Sequence, residues 1–249
     1  MSMTNDEHND PLDPAEGMNE CLQANHHVAK LAMGGSIVLA PFDATRVNLK
    51  ILDSGTSDET GYWLTDFQKS LAQPDTCTMI GFDITHERFP DPPPKGIELK
   101  VQDVLRPFPD SWLGTFDLVH QRFVLAAAAA KGRESVLGLC SLVKPGGWIQ
   151  LVEMQSTVGE DDGPAVHQLV ELVNELHVKI GAPRNLADLA VLERHVRAAG
   201  FQRVGTMLAP GTLGAKVPDP NFRELALKSS LDSAAGLLEA NKTLPGGLQ

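Results

Sequence analysis

Apolar and polar positions alternate along this chain between two regimes, short β-type apolar runs and longer stretches with helical spacing. The runs "LKILD" (49–53), "TMIGFD" (78–83), "IELKVQD" (97–103), "TFDLVHQRF" (115–123), "GWIQLVEM" (147–154) and "FQRVGTML" (201–208) predict six strands. Helical spacing occupies 20–33, closed by Gly34 and Gly35, then 62–72, the stretch after the fourth strand, 164–180 and 186–199. The loop carrying Pro90, Pro92, Pro93 and Pro94 cannot be a regular helix, because proline brings no amide donor. The fifth strand is entered through the turn Lys144–Pro145–Gly146–Gly147. Strands rich in Val, Ile and Leu that alternate with helices predict an α/β fold with a mainly parallel sheet covered on both faces. The last forty residues contain no convincing further strand.

Composition narrows the picture. With 249 residues the chain suits one α/β domain with a small helical addition. The organisation expected is a flexible acidic tail at 1–19, a helical cover at 20–46, a core at 47–208, and a loop with a helix at 209–249. Residues 1–20 hold six acidic side chains and no Lys or Arg, which is the reason for reading a tail there. A net charge of −11 argues against nucleic acid and against anionic membrane surfaces as partners. Cys21, Cys77 and Cys140 have neither zinc-like nor disulfide spacing, so no metal is expected and reduced thiols are. With no apolar span and no leader-like pattern in view, a cytoplasmic protein is expected, a nuclear one not being excluded.

Candidate chemistry gathers at one edge. Ligands of an open parallel sheet bind beyond the carboxyl ends of its strands. There the sequence places Asp53, Asp83 and Asp103, then His120 and Gln121, then Glu153. Asp83 stands where a carboxylate can accept both hydroxyls of a ribose, and Asp103 could accept an adenine amino group; each could equally cap its own turn. Asp117, at the start of its strand, reads as structural. His120 is the candidate base, because imidazole titrates near neutrality, and the alternative is a histidine satisfied by the following helix. His167 and His177 could border an acceptor pocket without being catalytic, and Trp63 and Trp148 read as core residues.

The order "ILDSGT", "GFDIT", "VQDVLRPFPDSWLGTFDLVHQRFVLA" and "LVKPGGWIQLVE" resembles the class I S-adenosylmethionine-dependent methyltransferases, and within them the methyltransferases of fungal secondary metabolism. The resemblance runs from about residue 20 to about residue 240. It implies a Rossmann-like class I methyltransferase fold and S-adenosylmethionine as cofactor. Asp53, Gly55 and Gly61 would then belong to the loop at the methionine end, with Asp83 on the ribose and Asp103 on the adenine. His120 and Gln121 would line the place where donor and acceptor meet, and His26, His27 and Glu153 the substrate pocket.

Two departures qualify what the resemblance implies. Where the family reads "DSGTADGTWL", this chain reads "DSGTSDETGYWL", aligned by inserting two residues near Glu59 and Thr60. The family also continues to a final strand completing a seven-stranded sheet, which is not evident here and predicts an uncovered edge and a homodimer contact or a rearranged sheet. The first functional reading is O-, N- or S-methylation of a small secondary metabolite. The second is a related enzyme guiding a cyclisation, isomerisation or elimination, and the third a non-catalytic regulatory or interaction protein, since a fold does not fix a function.

Overall fold

The computed structural model describes residues 14–56, 61–154, 158–160, 162–183, 188–209, 217 and 219–243. Its centre is a parallel sheet of five strands in the order β3-β2-β1-β4-β5. The strands are β1 (Lys50–Ser54), β2 (Thr78–Asp83), β3 (Ile97–Val101), β4 (Phe116–Arg122) and β5 (Val143–Val152). β1 lies between β2 and β4, so the chain reverses its direction of winding there and opens a crevice beyond the strands' carboxyl ends.

Register explains the two cores. Leu49, Ile51 and Leu118 face Trp63, Leu64 and Phe67 of α2 (Tyr62–Gln68). Leu52, Ile80, Phe82 and Val119 face the opposite way, against Phe108, Trp112, Leu139 and Leu142. Side chains of successive strand residues point to opposite faces, so β1, β2, β4 and β5 feed both cores, while edge strand β3 gives Ile97 and Leu99 to the first alone. Fully burying each such large side chain is worth about 1.5–3 kcal/mol.

The other α-helices among the described residues are α1 (Pro14–Ala32), α3 (Leu125–Ala128), α4 (Gly132–Cys140), α5 (Pro164–Lys179), α6 (Leu189–Ala198) and α7 (Pro220–Thr243). α6 packs on α4, while α7 packs along α1 and touches α5. None of these helices is long and apolar enough to cross a membrane.

Several boundaries differ from those expected. α1 begins at Pro14, inside the segment read as an acidic tail; proline fits a first helical turn, where its missing amide costs nothing. α2 ends at Gln68, four residues short of expectation, as the amides of Lys69 and Ser70 turn back to Asp66 and Phe67. The helical stretch after β4 is broken, because Ala129 takes a left-handed φ of 48° and a 3-10 turn, Ala129–Lys131, separates α3 from α4. β5 starts earlier, at Val143, and Lys144–Gly147 loop out as an irregularity between the pairs Phe116↔Val143 and Leu118↔Trp148.

The expected strand at 201–208 is absent. Phe201 and Val204 pack beside Leu125 and Val136, and the Arg203 guanidinium lies 5.2 Å from the Trp148 ring. The segment therefore reaches the flank of β5 through its side chains. Gly205 weakens any strand here, and no described segment offers it a ladder of backbone bonds.

Candidate functional site

Parallel pairing collects the expected residues at the carboxyl edge. Asp53 pairs with Gly81 on one side and His120 on the other, Ser54 with Gln121, and Asp83 with Val101. Gln121 and Arg122 pair with Leu151 and Val152, and Glu153 follows directly. Asp103 lies two residues past β3 rather than at its last position.

Asp53 is buried and doubly bonded. Its Oδ1 lies 2.7 Å from His120 Nδ1, and its Oδ2 accepts the Thr56 hydroxyl at 2.7 Å. A carboxylate only accepts, so the His120 proton resides on Nδ1. The His120 ring, 1% exposed, stacks on Trp63 with centroids 3.8 Å apart and planes 5° from parallel. Burial pushes its pKa below the ordinary value, against the pull of the Asp53 bond and charge. Its Nε2 carries a lone pair with no partner among the described residues. On the other face Gln121, wholly buried, accepts the Ser54 hydroxyl at 3.2 Å.

The loop leaving β1 turns sharply. Gly55 has φ 81°, and the amides of Gly55 and Thr56 both donate to Phe82 O, at 2.9 and 3.0 Å. A Cβ at Gly55 would overlap Val124 Cγ2, so glycine is needed here for conformation and for space. Gly81 provides the floor, since a Cβ there would meet the Thr56 hydroxyl at 2.7 Å. Gly61 begins α2 in the left-handed conformation, φ 55°. Glu59 and Thr60, near which an insertion was expected, lie outside the described residues.

Asp83 is half-buried; its Oδ1 accepts the Thr85 amide at 3.4 Å, a long bond that leaves acceptor capacity. Burial raises its pKa, opposed by backbone N–H groups and Arg88 and reinforced by the Asp53 charge. Asp103 accepts the Leu105 amide at 2.8 Å and pairs with Arg106 at 3.7 Å. Glu153 Oε1 accepts the amides of Val124 (3.2 Å) and Leu125 (3.1 Å), while burial pushes its pKa up to about 7.

The cover helix α1 is fastened by charge. His26, 0% exposed, receives Arg122 Nη1 on Nδ1 at 3.1 Å and gives Nε2–H to Asp66 Oδ2 at 3.0 Å. Lys30 reaches the same Asp66 oxygen at 2.6 Å. Burial is the main cause that lowers the His26 pKa to about 4, so the ring is neutral. His27 Nε2 lies 3.0 Å from the Tyr62 hydroxyl. Behind this helix a groove of about 480 Å³ is lined by Lys30, Ser36, Phe42, Asp66 and Phe67, and none of the edge carboxylates joins it.

Other residues play no part at the edge. Asp117, 3% exposed at the amino end of β4, gathers Arg46, Lys144 and the Lys50 amide. His167 is exposed on α5, and His177 is half-buried there, its pKa lowered by burial. The sequence reading missed Thr56, Asp66, Gly81, Arg122 and Gln150. Gln150 pairs with His120 and clamps the chain after α1, accepting the amides of Leu39 (2.6 Å) and Ala40 (3.3 Å) and donating to Ile37 O (2.8 Å). Only Gly81 carried a signal, a glycine within a buried strand, which marks a close approach.

This sheet, with acidic residues along the crevice beside its switch point, has the architecture of the class I methyltransferases. Solved structures agree on the fold. A chain from the complex of the Haloferax volcanii Trm112 methyltransferase activator with its methyltransferase has a TM-score of 0.51 and 15% identity, covering 87% of this chain and 89% of its own. An O-methyltransferase family protein from Burkholderia thailandensis has a TM-score of 0.50 and 17% identity, covering 75% and 53%. No family model matches the sequence. Among curated proteins, the N-methyltransferase sirN of Leptosphaeria maculans is 35% identical over 227 residues, 90% of this chain and 77% of the relative. The N-methyltransferase gliN of Aspergillus fumigatus is 31% identical over 234 residues, 91% and 79%. The chain belongs to the S-adenosylmethionine-dependent methyltransferases of fungal secondary metabolism.

Proposed function

We propose that the protein transfers a methyl group from S-adenosylmethionine to a nitrogen of a small secondary metabolite. The observation that carries this reading is the similarity to sirN and gliN, both named N-methyltransferases, over 90% and 91% of this chain and 77% and 79% of theirs. The acceptor nitrogen's lone pair would form the new C–N bond as the methyl–sulfur bond breaks. Sulfur keeps that electron pair, giving neutral S-adenosylhomocysteine, and the nitrogen sheds its proton. Such a displacement needs alignment above all, and effective molarity supplies much of the acceleration.

The residues at the edge fit the donor. Asp83 retains acceptor capacity for ribose hydroxyls, Asp103 stands one strand further out for the adenine, and the Gly55 turn allows close approach at the methionine end. His120 fits a positioning role better than that of the base first expected of it, because its ring is sealed under Trp63 and holds Asp53 beneath the loop. Gln121 supports the same turn through Ser54. The substrate-pocket roles expected of His26, His27 and Glu153 find less support, since His26 has both ring nitrogens engaged and Glu153 Oε1 is taken up by the Val124 and Leu125 amides.

Incubation with methyl-labelled S-adenosylmethionine and a panel of small N–H compounds from fungal extract tests this reading. Mass spectrometry is expected to find a product carrying one labelled methyl group on nitrogen. Label only on oxygen or sulfur would overturn the choice of atom.

A further inference from the structure

β4 ends in a turn that ordinary residues rarely adopt. Phe123 has φ 58°, a left-handed conformation uncommon for a bulky side chain, and its amide donates to Val152 O at 2.9 Å. The chain then reverses into α3, and the next two amides, Val124 and Leu125, both donate to Glu153 Oε1. Leu125 is buried, while the Val124 side chain is delivered onto Gly55, filling the space that a Cβ there would need. Gly55 is in turn the first residue after β1 and hangs by its amide from Phe82 O. A continuous path of contacts thus leads from the end of β5 to the loop leaving β1.

We propose that Glu153 is a positioning residue for the methyl donor: by fixing the β4–α3 turn it presses Val124 against Gly55 and sets the place of Gly55 and Thr56 at the start of the donor loop. The inference rests on the donor-binding reading above. It assigns Glu153 a task directed at the loop rather than at the acceptor. A carboxylate suits this task because one oxygen can accept two amides at once, and glutamine keeps a carbonyl oxygen that can do the same.

The test compares wild type, Glu153→Gln, Glu153→Ala and Val124→Ala, all as the full chain, by two readouts. The first is amide hydrogen exchange without ligand. Glu153→Ala is expected to speed exchange at Gly55 and Thr56 at least tenfold while β2 and β3 keep wild-type rates, and Glu153→Gln to remain within about threefold of wild type. The second is calorimetric titration with S-adenosylhomocysteine. Glu153→Ala and Val124→Ala are each expected to weaken binding at least tenfold, and the double variant to weaken it no more than the worse single one. Unchanged exchange at Gly55 and Thr56 in Glu153→Ala, uniform acceleration across the whole sheet, or strictly additive losses would overturn the proposal. Should wild type fail to bind S-adenosylhomocysteine, the donor reading falls by itself, and the exchange pattern still decides whether Glu153 governs the loop.

Discussion

At the scale of single residues, Asp53 and His120 form the least replaceable pair in the crevice. A buried carboxylate is tolerable only while its oxygens are engaged, and here one belongs to Thr56 and the other to His120. Removing the imidazole would leave half of that charge without a partner and open a cavity under Trp63. His120→Ala is therefore expected to cost about 3–5 kcal/mol in urea unfolding. His120→Asn retains a donor near the Nδ1 position and is expected to recover part of the loss. Equal losses in the two variants would show that stacking, not the bond to Asp53, holds the residue. Asp117 is the counterpart at the opposite edge, a buried carboxylate held by cations, and it takes no part in the crevice.

At the scale of elements, the docking of α1 depends on a neutral histidine. His26 is faced by Arg122 from β4, by Asp66 and Tyr62 from α2, and by His27 from its own helix, while Lys30 shares the Asp66 carboxylate. Protonation would set a second N–H against the Arg122 guanidinium. The folded pKa is lowered from 6.5 to about 4, so the unfolded chain binds the proton first. Stability from this group is complete above pH 6.5 and is lost as pH falls towards 4, by up to about 3 kcal/mol. His26→Gln can bond to both neighbours without titrating, and its stability relative to wild type is expected to rise across that window. A parallel pH dependence in the two proteins would contradict the docking scheme.

The same elements show what was legible beforehand. The central strands β1, β2 and β4 were readable because a parallel strand buried on both faces leaves a dense apolar run, whereas edge strand β3 keeps exposed Glu98 and Lys100 on one face. The carboxyl-edge positions of Asp53, Asp83 and Glu153 followed from their places at the ends of parallel strands. The strand expected at 201–208 failed because apolar content does not supply a hydrogen-bonded neighbour; Phe201 and Val204 are packed without a ladder, and Met207 and Leu208 are exposed. The α1 start at Pro14 was obscured by acidic residues that argued for a tail. The bonds of Asp66 to α1 and of Gln150 to the chain after α1 join residues 36 or more apart in sequence, and no local pattern encodes them.

At the scale of the whole molecule, two faces of one sheet serve different purposes at its carboxyl edge. One face carries the row Asp53, His120 and Gln150, adjacent in register, which runs from the loop leaving β1 to the chain that follows α1. The other carries Ser54 and Gln121 above the core around Phe82. Membership in the fungal methyltransferases and this edge together make donor binding the central claim. Its most direct measurement is calorimetric titration of the full chain with S-adenosylhomocysteine, beside the Asp83→Ala variant. The account predicts a one-to-one isotherm for wild type and at least about tenfold weaker binding when the ribose acceptor is removed, the loss of a charge-assisted pair. No heat of binding to wild type at millimolar ligand, or equal affinity in Asp83→Ala, would contradict it.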